Sequence, residues 1–310
     1  MLTETRHIDL HLPRSWNQCT TDELEQIATV IALRTLRTDR YHPFDMLAAK
    51  VELLFTINKL EIVTPGDDVY MVRFIPGKSK WWKRTKQEEP FELTVGAVHA
   101  MITDYLSWID DDDAEPLLRV PYPTMTIHGR QYTGPTPMLD GFMWEEYRHL
   151  QDWMQIYTTL SNRLLKLTQR HRDEHVIKDV AEQVTHVRSE ILAILFRPEN
   201  GEKKSSDFND FDDIKWQVML FWWSGLMKYL QKQYPRCFKP QKPDRKNKRQ
   251  NPLELYTRTT ATMEKYIGLN EQEVNKQSFH VILQHMEDMA KEAEEMKRIN
   301  SKYKNNKSKK

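Results

Sequence analysis

Six apolar residues constrain this chain more than any other group. Met143, Tyr147, Leu150, Met154, Tyr157 and Leu164 recur at alternating steps of four and three, with one step of seven. On a helix of 3.6 residues per turn that spacing draws one continuous stripe. A strand, whose side chains alternate from face to face, would scatter it over both faces. The stretch 142–167 is therefore predicted to be a long helix with one face packed against something. Similar faces recur down the chain, so the fold is expected to be built mainly from packed helices.

Composition agrees with that reading. The chain has 310 residues, 39% hydrophobic and 29% charged, with nine Trp. So many large rings belong to a chain that buries a core, not to a disordered one. Nine glycines are few for a β-barrel or for a glycine-rich phosphate loop. The longest apolar run, Val218 to Trp223, is far short of the roughly 20 residues needed to span a bilayer. No membrane association is expected. The first residues, MLTETRHIDLHL, lack the basic and apolar regions of a secretory signal. Cys19 and Cys237 form no disulfide framework, so both are expected to be reduced thiols in the cytoplasm.

The elements can be placed along the chain. Residues 1–13 alternate like a short strand and stop at Pro13. Thr20 and Glu23 form a capping-box pair ahead of a helix through Leu24, Ile27 and Ile31. Pro43 opens a second helix through Phe44, Leu47, Val51, Leu54 and Phe55. Residues 60–76 switch period and flank Pro65-Gly66-Asp67-Asp68, a hairpin signature. A third helix is expected over 94–109, and a second hairpin should turn at His128-Gly129. Helices are then expected over about 140–170, 174–196, 212–232, 251–267 and 270–299. The predicted fold is mainly α: an N-terminal α+β region, 1–138, with two short hairpins, then a multi-helix body, 139–300. Residues 301–310 read as a disordered basic tail.

Four constellations could carry chemistry or binding. His171, Glu174 and His175 spell H-x-x-E-H, which on a helix places two imidazoles one turn apart beside a general base. The run is polar on all sides and no third ligand is marked, so a solvated helix end is the better reading. No metal, cofactor or catalytic residue is assigned. Asp110 to Asp113 reads as a solvated loop, because four consecutive carboxylates cannot all face one ion. Trp81, Trp82, Lys83 and Arg84 interleave rings and cations as single-strand nucleic-acid binders do. Basic stretches at 236–249 and 297–310, each with seven Lys or Arg, would support such a role. The segment Val218 to Leu230, apolar nearly all round, reads as the centre of the helical body or as an oligomer contact.

Several segments resemble phage and prophage proteins. They are 12–32 (LPRSWNQCTTDELEQIATVIA), 134–157 (GPTPMLDGFMWEEYRHLQDWMQIY), 191–202 (ILAILFRPENGE) and 220–238 (LFWWSGLMKYLQKQYPRCF). The closing segment 263–295 (MEKYIGLNEQEVNKQSFHVILQHMEDMAKEAEE) is similar to the C-terminal end of phage tail assembly chaperones. The basic linker 236–249 and the Lys/Asn tail depart from that group. The resemblance implies a non-enzymatic morphogenesis protein of the host cytoplasm or the virion. Its partner would be a viral structural protein such as the tape-measure helix, held in a helix-in-groove mode. Fourteen methionines, several of them in apolar stripes, suit adaptable contacts of that kind. Phe279, Ile282, Leu283, Met286 and Met289 are the expected partner-binding residues. A homo-oligomer and the nucleic-acid reading through Trp81 to Arg84 stand as alternatives.

Overall fold

The computed structural model describes residues 10–36, 44–66, 68–75, 89–170, 173–238 and 252–307. In chain order the elements are helices α1 (Thr21–Leu36) and α2 (Met46–Ile57), strands β1 (Leu60–Thr64), β2 (Val69–Phe74) and β3 (Phe91–Thr94), and helix α3 (Val95–Tyr105). Strands β4 (Thr124–Ile127) and β5 (Arg130–Thr133) precede helices α4 (Trp144–Gln169) and α5 (Glu174–Leu195). Strand β6 (Arg197–Pro198) is followed by helices α6 (Asp213–Gln233), α7 (Pro252–Ile267), α8 (Glu271–Asn275) and α9 (Phe279–Lys307). The fold is mainly α, with an N-terminal α+β region.

Two compact units divide the chain. One takes in residues up to Pro121 together with Asp212–Trp222; the other takes in Tyr122–Phe211 and Trp223 onward. Residues 122–138, the end of the expected α+β region, fall in the second unit.

In the first unit, Thr20 and Glu23 cap α1 reciprocally. The Glu23 amide donates to Thr20 Oγ1 at 3.2 Å, and the Thr20 amide donates to Glu23 Oε2 at 2.6 Å. Asp45 and Thr94 each accept one of the orphan amides that open α2 and α3. Strands β1, β2 and β3 form an antiparallel sheet in that order, with Leu60 opposite Phe74 and Val72 opposite Phe91. The first hairpin stands where Pro65-Gly66 placed it. Strand β3, too short for its alternation of Phe91, Glu92, Leu93 and Thr94 to mark a strand, is held by pairing to β2. Residues 1–9 of the expected N-terminal strand lie outside the described residues, and 10–13 form no strand. Instead Leu10 and Leu12 line a groove of about 520 Å³ with Phe91, Leu93, Met101 and Tyr105. Leu24, Ile27, Leu53, Leu54 and Val72 are fully buried and form the core. Trp16 packs on Trp108 and Phe221 at 4.8 and 5.3 Å between ring centres.

In the second unit β4 and β5 pair antiparallel, and the turn falls on His128 and Gly129, both with positive φ (48° and 76°). That is the backbone a tight hairpin requires. Strand β6 adds to β5, with Tyr132 opposite Pro198. Gly134 is obligatory for another reason, since a Cβ there would lie 2.2 Å from the carbonyl oxygen of Tyr122. The buried Tyr132 hydroxyl donates to Asp207 Oδ2 at 2.5 Å, fastening the hairpin to the turn before α6. Helices α4 and α5 form a long antiparallel pair. The expected helix over 270–299 is broken into α8 and α9. At the break, the Trp144 amide donates to the Gln277 carbonyl at 2.8 Å, and the Phe279 amide donates to the Phe142 carbonyl at 3.2 Å. Backbone groups committed across the fold cannot also close helical turns. At the other end α9 stays helical to Lys307, beyond the expected limit at 300. The stretch Phe279–Lys307 holds neither Gly nor Pro to stop it. Among the described residues no helix is long and apolar enough to cross a membrane.

Candidate functional site

The partner-binding residues expected on α9 divide into two groups. Phe279 and Ile282 are wholly buried and Leu283 is 3% exposed. Phe279 stacks on Tyr147 of α4 with ring centres 4.4 Å apart and planes at 19°. These three residues hold α9 in the second unit and present nothing to a partner. Met286 and Met289 are half-buried. Met289 borders a small groove of about 390 Å³ between α7 and α9, with Ala261, Thr262, Lys265 and Tyr266.

Ionic contacts fix one flank of α9. Glu287 accepts from Arg236 Nη1 at 2.7 Å and from the backbone amides of Arg236 and Cys237 at 2.8 and 3.2 Å. Arg236 Nε also donates to Glu294 at 3.0 Å. Burial pushes the Glu287 carboxyl up, but the hydrogen bonds from Arg236 and Cys237 outweigh it and hold the carboxyl below its ordinary range. Burial, with Glu287 beside it, pushes the Cys237 thiol up to about 12. Burial, reinforced by Glu23, does the same to Cys19, also to about 12. Neither cysteine is a thiolate at neutral pH, and the thiolate is the reactive form.

The more open surface lies at the shared end of α4 and α5. The buried residues of α4 stop at Met154, and those of α5 begin at Val180. Beyond them the two helices cover little but each other. Ile156, Leu165 and Val176 are 43, 47 and 37% exposed. A cavity of about 820 Å³ opens here, lined among others by Arg163, Lys166, Leu167, Arg170 and Val176. Arg163, Lys166 and Arg170 follow one another at steps of three and four, which puts three cations on one face of α4. None of the three pairs with a carboxylate among the described residues. With Asp173 also in the lining, the rim carries three cations and one carboxylate around the apolar Leu167 and Val176, a net positive edge that suits an amphipathic segment carrying acidic side chains. The α4 stripe pointed at this helix, but its seat against α5 is thin where the stripe ends, and spacing alone cannot report that.

The other constellations resolve differently. Trp81, Trp82, Lys83 and Arg84 lie outside the described residues, as does His171. Glu174 and His175 are exposed in the first turn of α5, where the His175 amide donates to the capping Asp173 at 3.0 Å. Among the described residues no group of three His, Cys, Asp or Glu stands close enough to hold a metal. Asp110 has a partner the sequence did not reveal: its carboxylate lies 2.5 Å from Lys50 Nζ, whose side chain is 9% exposed. The Asp113 amide donates to Asp111 at 2.9 Å, so this loop also braces itself. Set beside models of protein families, characterised proteins and solved structures, the chain matches none.

Proposed function

We propose that this chain is a non-enzymatic assembly protein of the phage or prophage type that works by binding a helix of a viral structural protein. A tail assembly chaperone holding a tape-measure helix is the closest description of such a role. The thinly covered end of α4 and α5 supports the reading. Exposed Val176 lines an open cavity whose rim carries Arg163, Lys166 and Arg170 with Asp173, and Leu165 is exposed on the adjoining face of α4. Helix-in-groove recognition needs apolar anchors at helical spacing, and a charged rim sets orientation. The burial of Phe279, Ile282 and Leu283 in the core favours α4 and α5 over α9 as the binding surface. Co-expression with a tape-measure-type protein tests this. The wild-type chain should capture the long helical partner, and Leu165→Asp should lose it with helix content and melting temperature unchanged. Capture unaffected by Leu165→Asp would contradict the assignment.

Nucleic-acid binding is the second reading, favoured by the same cationic row. It requires affinity that falls steeply with salt as counterions are released. Salt-independent binding would exclude it.

A further inference from the structure

The apolar stripe of α9 does not end where the second unit ends. Phe279, Ile282, Met286, Met289, Ala293, Met296 and Asn300 succeed one another at alternating steps of three and four. That is the seam of a heptad repeat. The first two residues are buried in the unit, and Met286 and Met289 are half-buried. Every residue from Lys291 to Asn300 is exposed, with Met296 at 59% and Ile299 at 39%.

Both flanks of the helix are occupied. Tyr266 packs edge-on against His285 and donates to Glu292 at 3.4 Å on one side. Arg236 holds Glu287 and Glu294 on the other. Between these contacts the seam runs on into solvent as regular helix.

We infer that two copies of this chain associate through the distal halves of α9 as a parallel, two-stranded coiled coil, with Ala293, Met296 and Asn300 in the seam. Charge selects both the partner and its direction. With the seam set this way, Glu292 and Lys297 occupy the two positions that flank it. In a parallel pair the first of these faces the second of the next heptad on the other strand, so the exposed Glu292, its carboxylate shared between Tyr266 and the partner strand, meets Lys297 twice by symmetry. In an antiparallel pair each flanking position faces its own kind, and no Glu meets Lys. Asn300 argues for a second copy rather than an unrelated helix. A lone Asn in the seam is satisfied by the same Asn across an in-register parallel dimer and disfavours other pairings.

The seam from Ala293 to Asn300 is ~11 Å long at 1.5 Å per residue. An interface that short falls below the ~1,200 Å² of stable complexes, so the dimer is weak and concentration-dependent.

The test uses the full chain alone. Sedimentation over a range of concentrations should show a monomer–dimer equilibrium. Met296→Asp should weaken it by at least about tenfold without changing the melting temperature, because Met296 supports no core. Met296→Cys should cross-link under oxidation, whereas Arg298→Cys, on the outer face of the helix, should not. Wild type, with both thiols shielded, supplies the blank. A monomer at every concentration would overturn the inference. So would a dimer that survives Met296→Asp, or equal cross-linking at the two positions.

Discussion

Glu287 illustrates how a single residue's environment sets a measurable property. Its carboxyl is held below the ordinary range in the folded chain, so it adds stability above that range and loses it as pH falls through the folded value. Unfolding free energy should therefore decline as the solution is acidified below the usual glutamate range. Glu287→Gln should cost ~1.5–3 kcal/mol at neutral pH, the usual worth of hydrogen bonds to a charged group, and should flatten the acid decline. An acid limb identical in the variant would show that other carboxylates control it. The thiols make a second residue-scale prediction. Cys19 is 2% exposed and Cys237 half-buried, both with thiols pushed up to about 12. A maleimide or disulfide reagent should label neither at an appreciable rate in the folded chain, and both at once in denaturant. Fast labelling of either in the native state would mean its shell opens. The sequence identified both as free thiols. Their shielding comes from burial and from Glu23 and Glu287, which are neighbours only in the fold.

At the scale of elements, local chemistry was the readable part. The Thr20–Glu23 cap, the hairpins at Pro65-Gly66 and His128-Gly129, and the spans of α4, α5, α6 and α7 all follow from spacing, caps and turn residues. Elements that depend on distant partners were not legible. Strand β3 forms because β2 offers an edge, and the α8–α9 break forms because residues 142–144 take the backbone groups of 277–279. Gly134 is a further case: nothing in its neighbours announces that the Tyr122 carbonyl passes 2.2 Å from where its Cβ would be. Gly134→Ala should destabilise the second unit by roughly 1–3 kcal/mol, as overpacking against backbone does. Chemical denaturation checks it. A neutral substitution would mean that the strand following the hairpin shifts freely.

At the scale of the whole molecule, the candidate site was half legible. The sequence marked apolar helical stripes with methionine and aromatic anchors. It could not rank them, because burial depends on which helices meet. Phe279 and Ile282 share the spacing of Met296, yet the first two are core and the last stands 59% exposed. Helices α4 and α9 begin in the packed body and run out of it, and α5 enters it from an exposed first turn, which leaves three helix ends with little cover. The proposed role is to hold another helix at these ends. Its most direct test is a pull-down from the native host with wild type and Leu165→Asp side by side, the bound fractions analysed for protein and for nucleic acid. One long helical viral protein should come down at fixed stoichiometry with wild type and be lost with the variant. Nucleic acid eluting with salt, with no protein partner in either fraction, would contradict it.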